Sequence, residues 1–219
     1  MAVLACKIKT DPDQPVAIEI VLPDSGRVEL PDTFRPRGRA LNGLGDSVPA
    51  DLLWSSLDTA TIAVLDSTTG VSLSKAVGIG RLEARTGNLF SNPQSVTVLA
   101  HLDSVRADSA TRDTVKLTPD STEHLDSLSI PLKVQAFATG GTAERRRVVY
   151  VATTFPTTGP VVTLVPNDTV LTSAGIAAVR LRVLPGARAD SVVVTATMKR
   201  LDGTEIAGSP VRFVVEYGP

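Results

Sequence analysis

The residues with which this chain could do chemistry are few: two histidines, one cysteine, and carboxylates scattered among serines. A Ser–His–Asp triad would have to use His101 or His124. Neither stands in a glycine-flanked position at a strand end, where a catalytic group is held and exposed; both sit in a polar stretch rich in Asp and Ser. One Cys and two His are too few donors for a zinc site of those ligands, and one Cys makes no internal disulfide. Asp103, Asp108, Asp113 and Asp120 would, as ligands, build a calcium site between domains, but the Asp-x-Asp-x-Asp-Gly spacing of a calcium loop is absent. Asp-Ser recurs eight times in the chain. Such side chains bond their own backbone, so turn punctuation is the favoured reading. The residue types therefore predict no catalytic residue, no metal ligand set and no cofactor, and a chain that is not an enzyme.

What remains is charge. Arg35, Arg37 and Arg39 alternate, and in a strand over 33–41 all three would project from one face. Arg145, Arg146 and Arg147 run into Val148-Val149-Tyr150-Val151. Consecutive cations on a strand point to both faces, so at least one of these is expected at a sheet edge. The six arginines form a candidate interaction stripe for lipid phosphates or an acidic partner. The alternative is solvated faces matched by nearby Asp and Glu. Net charge is −1, so no overall field favours nucleic acid.

These groups must be carried by strands. Val, Thr and Ser are abundant, 16 Gly and 15 Pro punctuate the chain, and helical periodicity is scarce. The organising stretch is 53–66, Leu-Trp-Ser-Ser-Leu-Asp-Thr-Ala-Thr-Ile-Ala-Val-Leu-Asp, which holds the only Trp. It reads as strand, polar turn over 55–59, then a strand with Ala60, Ile62 and Val64 on one face. Burying an indole removes ~150–250 Å² from water, so Trp54 is the expected core anchor.

Trp54-Ser55-Ser56, Asp58-Thr59, Ile62-Ala63-Val64, Asp66-Ser67-Thr68-Thr69-Gly70-Val71 and Val77-Gly78-Ile79-Gly80 follow in an order that resembles the group 2 bacterial immunoglobulin-like domain. The resemblance covers roughly 15–100. It departs in a longer insert, Arg39 to Pro49, and in the charged Arg81-Leu82-Glu83-Ala84-Arg85. Further on, Ser173-Ala174-Gly175-Ile176-Ala177-Ala178-Val179-Arg180-Leu181 and Asp190-Ser191-Val192-Val193-Val194-Thr195-Ala196 resemble, more loosely, the group 1 domain of intimin and invasin type. The fold implied is all-β, two tandem immunoglobulin-like β-sandwiches.

The expected divisions are a tether over 1–14, a first domain over 15–100, a linker over 101–112 and a second domain over 113–219. In the second, 128–136 alternates with Leu128, Ile130, Leu132, Val134 and Ala136 on one face. Val179, Leu181 and Val183 are expected inward with Arg180 and Arg182 outward, Leu201-Asp202-Gly203-Thr204 as a hairpin turn, and Val211, Phe213, Val215 and Tyr217 on one face of the last strand.

Val3-Leu4-Ala5-Cys6 resembles the lipobox of bacterial lipoproteins, without the apolar leader that normally precedes it. Cys6 is the candidate lipidation site, and a polar spacer from Lys7 to Gln14 follows. No run reaches the ~18–20 apolar residues of a membrane span, so any membrane attachment is through lipid. The expected protein is a periplasmic or cell-surface, membrane-tethered, non-enzymatic interaction protein. It would dock on and stabilise a larger envelope or membrane assembly, with other protein subunits as partners and no nucleic acid. The alternatives are an adhesin or filament module, and a carbohydrate-binding module, the latter disfavoured by scarce aromatics.

Overall fold

The computed structural model describes residues 13–116, 127–156, 162–183 and 190–218. The chain divides between Leu99 and Ala100 into two units.

The first unit is built from β1 (Ala17–Val21), β2 (Arg27–Glu29), β3 (Thr33–Phe34), β4 (Arg37–Leu41), β5 (Ser47–Val48), β6 (Leu53–Ser56), β7 (Ile62–Val64), β8 (Ser72–Ser74), β9 (Gly78–Thr86), β10 (Leu89–Phe90) and β11 (Gln94–Leu99). One five-stranded sheet holds β2, β11, β9, β10 and β6; two short sheets, β1-β4-β5 and β3-β8-β7, carry the rest. β6 and β10 both pair with Arg85 of β9, so they lie on its opposite flanks. The charged stretch over 81–85 is an ordinary alternating strand, with Leu82 and Ala84 buried and Arg81 and Arg85 exposed. Val28, Phe34, Ile62, Leu82, Val96 and Val98 form one core cluster, which joins the five-stranded sheet to β3-β8-β7. Ile18, Trp54 and Ala84 form a second, which joins it to β1-β4-β5.

Two expectations for this unit are corrected. The segments around Trp54 are not a hairpin: β6 pairs with β9, Trp54 opposite Ala84, whereas β7 pairs with β8. Residues 57–61 carry the chain from one sheet to the other. Asp58 pins that crossing, its Oδ2 accepting the Arg81 amide at 2.9 Å and Nε at 2.8 Å. Nor is 33–41 one strand. Pro36 has no amide hydrogen and restricts the residue before it, so β3 ends at Phe34 and β4 begins at Arg37 in a different sheet.

The second unit comprises β12 (His101–Ala107), β13 (Arg112–Lys116), β14 (Ser127–Leu128), β15 (Leu132–Thr139), β16 (Arg147–Phe155), β17 (Val162–Val165), β18 (Thr169–Leu171), β19 (Ile176–Val183), β20 (Ser191–Met198) and β21 (Val211–Gly218). One sheet holds β12, β15, β19, β14 and β17; the other runs β13-β21-β20-β16-β18. A single core lies between them, with Leu132, Tyr150, Leu181 and Phe213 among its fully buried side chains. The buried Tyr150 hydroxyl donates to the Ala177 carbonyl at 3.0 Å. Val179, Leu181 and Val183 point inward and Arg180 outward.

Here too the structure departs from expectation. Residues 101–107, expected as linker, are β12, which pairs antiparallel with β15 and buries Leu102 and Val105. Leu128 and Ile130 are exposed while Ser129 is buried. Pro131 separates β14 from β15, and in the gap the Ser129 hydroxyl oxygen accepts the Leu181 amide at 2.9 Å. None of the three consecutive arginines lies on an edge strand. Arg145 sits in a loop at φ +55°, and Arg147 opens β16, which is flanked by β20 and β18. Arg146 is buried and donates to the Ala100 carbonyl. Each unit also contains a parallel pair between an early strand and its last one, β2 with β11 and β13 with β21.

Candidate functional site: an arginine-lined groove

Pro36, which splits the expected strand, also creates a site. Where the chain leaves one short sheet for the other, a groove of about 970 Å³ opens in the first unit. Its lining comes from three segments: Arg35, Arg37 and Gly38 supply an arginine wall, Asp51, Leu52 and the buried Trp54 a second part, and Thr68 and Thr69 a lip. The indole is 6% exposed and wedged between glycines. A Cβ on Gly38 would lie 2.7 Å from Leu52 Cδ1 and 3.0 Å from Trp54 Cζ2. Gly70 adopts φ +77°, and a Cβ there would lie 3.0 Å from the indole Cε2 and Nε1.

The lip is built by Asp66. Its Oδ1 accepts the Thr68 amide at 2.9 Å and hydroxyl at 2.7 Å, and its Oδ2 accepts the Thr69 hydroxyl at 2.6 Å. Arg35 Nε then donates to the Thr69 carbonyl at 3.0 Å, which ties the arginine wall to the lip. The Thr69 and Thr68 donors hold the Asp66 carboxyl well below the usual carboxylate range. A depressed carboxylate contributes stability that is complete above its unfolded value, about pH 4, and is lost as pH falls through the folded value. In an NMR titration of the side-chain carboxyls, Asp66 is expected to show no inflection near pH 4; an ordinary midpoint there would mean that the lip is not held by this carboxylate.

Of the predicted stripe, Arg35 and Arg37 line this groove. Arg39, on the same face of β4 as Arg37, is occupied by Glu19 across the β1–β4 pair. Arg145, Arg146 and Arg147 belong to the second unit. Arg146 is the buried anchor of the Ala100 carbonyl. Among the carboxylates considered for calcium, Asp103 accepts the Thr139 hydroxyl and Asp113 the Ile130 amide. Asp120, His124 and Cys6 lie outside the described residues. Among those described, no group of three His, Cys, Asp or Glu is placed to hold a metal ion, and no helix is long and apolar enough to cross a membrane. The sequence reading missed Asp51, Asp66, Thr68 and Thr69 as wall and lip. Asp66-Ser67-Thr68-Thr69-Gly70 was visible as a turn, but its closeness to Arg35 depends on a contact 34 residues apart.

Fold and groove together define a class: an all-β chain of two tandem immunoglobulin-like β-sandwiches. No protein family matches the sequence by profile, and no curated protein matches it. Solved structures do. The adhesin InvE of Yersinia pseudotuberculosis is similar over 92% of this chain and 59% of its own, at 14% identity and a TM-score of 0.42. Domains 4 and 5 of the S-layer protein SbsC are similar over 94% of this chain and all of theirs, at 12% identity and a TM-score of 0.34. The D00-D0 domain of intimin is similar over 92% of this chain and all of its own, at 18% identity and a TM-score of 0.32.

Proposed function

We propose that this chain is a non-enzymatic structural and interaction protein of the bacterial envelope, which docks on and stabilises a larger membrane-associated or surface assembly. The observation that supports it is a set of exposed apolar side chains on the outer face of the second unit. Val149, Val151 and Phe155 share one face of β16 with the exposed Thr153 and are 37%, 53% and 47% exposed. Leu171 of β18, opposite Arg147 on the same face, is 51% exposed. Val193 of β20 and Val214 of β21, partly buried, extend the face across the sheet. Threonines and arginines are interspersed on this face, Thr153 within β16 and Thr195 opposite Val151, so it is a mixed apolar and polar surface of the kind found at non-obligate protein interfaces. The bacterial setting comes from the motifs around Trp54, and Cys6 is the proposed lipid tether.

Native mass spectrometry of the protein extracted from its own cells tests this. The expected spectrum has the chain in fixed ratio with other subunits and a lipid mass on Cys6. A lipid-free monomer would sink the reading in favour of a soluble binding module, and a ladder of homopolymers in favour of a filament. Val151→Glu should weaken the association at least about tenfold while changing stability by no more than about 0.5 kcal/mol, because the side chain is on the surface. An assembly that survives this substitution intact would move the interface elsewhere.

A further inference from the structure

We propose that the groove of the first unit takes an extended acidic peptide, which adds as a strand along the Arg37–Arg39 half of β4 and places carboxylates on Arg35 and Arg37. The backbone supplies the first argument. β1 covers one flank of β4 over all five residues, Arg37 to Leu41. β5 covers the other flank only at Ala40 and Leu41. Among the described residues no strand lies beside the remaining half, and it is this half that lines the groove. The Leu41 carbonyl accepts the Val16 amide on the β1 side, so strand alternation turns the Gly38 amide and carbonyl to the open flank. Gly38 has no side chain to cover them and is exposed. An open flank with accessible peptide groups is the template for strand addition.

Charge supplies the second argument. Among the described residues no carboxylate lies within ion-pair distance of Arg35 or Arg37, whereas Arg39, on the same strand, is taken by Glu19. Arg35 spends one nitrogen on the Thr69 carbonyl, which fixes its orientation and leaves the end of its guanidinium free. Such a fork binds a carboxylate through parallel bonds. The lining holds one carboxylate of its own, Asp51, against two arginines, so its charge balance favours an acidic ligand. Leu52 and Trp54 make part of the lining apolar. Side chains of an added strand alternate between faces, so the ligand carries the pattern acid–apolar–acid, its apolar residue turned to the indole.

Trp54 is the only Trp of the chain and lines this groove, so its fluorescence reports occupancy directly. The experiment titrates the full chain with a capped Glu-Val-Glu-Val-Glu peptide. A saturable change is expected. Arg37→Gln, which breaks no side-chain hydrogen bond or ion pair among the described residues, should weaken binding by about tenfold or more. N-methylation of the two Val amides should weaken it similarly, and Arg212→Gln, at an exposed position of the second unit, should leave it within about twofold. Circular dichroism and a thermal melt confirm that each variant is folded. Absence of a saturable change overturns the proposal, as does equal binding of a Lys-Val-Lys-Val-Lys peptide. Equal binding of the N-methylated peptide overturns strand addition. Tighter binding of inorganic phosphate or of an acidic polysaccharide would reassign the groove to a simple anion. The assembly reading rests on the second unit and its own spectrum, so each can fail alone.

Discussion

Replacing Trp54 with Ala is expected to destabilise the first unit by about 3–5 kcal/mol. Ile18, Trp54 and Ala84 are the buried members of the cluster that joins the five-stranded sheet to the β1-β4-β5 sheet, with Ile20, Leu52, Val64 and Leu89 packed around them. Ala84 adds little surface of its own, so the indole supplies most of the apolar area. The two glycines against it cannot follow it inward, because Gly70 is set by its turn at φ +77° and Gly38 by the β1–β4 register. The void therefore stays open, the condition under which large-to-small substitutions cost most. Hydrogen exchange read by mass spectrometry should show lost protection in peptides from β1, β4, β6 and β9, with those from β12 to β21 unchanged. A cost below about 1 kcal/mol would mean that the indole only lines the groove and holds nothing.

The second large effect lies at Gly208 and needs a control to be read. Gly208 and Gly203 have nearly the same backbone, φ +80° and +88°. A Cβ on Gly203 would meet nothing within 4 Å, whereas one on Gly208 would lie 2.1 Å from the Val105 carbonyl oxygen. Gly203→Ala therefore isolates the cost of a left-handed conformation, about 1–2 kcal/mol. Gly208→Ala adds a collision with backbone that has no rotamer by which to escape. The Val105 carbonyl must move, and the Val105 amide bond to the Ala207 carbonyl, 2.9 Å, goes with it. A total of about 3–5 kcal/mol is expected, measured by urea denaturation, with β12 the first element to lose amide protection. Equal costs at the two glycines would show that β12 is not clamped at this point.

A bulge in the same strand explains why β12 could not be read from the sequence. Strand recognition relies on period two, yet the buried residues of β12 are Leu102 and Val105, three apart, because the register slips between Leu102 and Ser104 where a bulge interrupts the β12–β15 pair. Apart from Ala107 the remaining positions are polar, and the stretch resembles a linker. β19 and β21 have no such slip, and their inward residues, Val179, Leu181 and Val183 in the one and Val211, Phe213 and Val215 in the other, were legible. The crossing at 57–61 was hidden for another reason. Whether two adjacent strands form a hairpin depends on what each pairs with, and β6 finds its partner in β9, some 30 residues on. Arg35 and Arg37 were legible as a charged pair. Their site was not, because the groove arises from Pro36 redirecting the chain and from a threonine lip that arrives from 68–69. Arg146 reads like its neighbours in sequence, and only the fold turns it inward.

The parallel pairs bear on mechanical load. If the chain is pulled at its two ends, the last strand of each unit is drawn toward its own C-terminus and the early strand beside it toward its N-terminus. In a parallel pair these displacements run along the strands, so the bonds between them share the force and are sheared together rather than peeled one at a time. The β13–β21 pair extends over five residue positions and the β2–β11 pair over three. Loaded in this direction, the longer β13–β21 pair resists shear more than the β2–β11 pair, an order set by strand length and direction rather than by core volume.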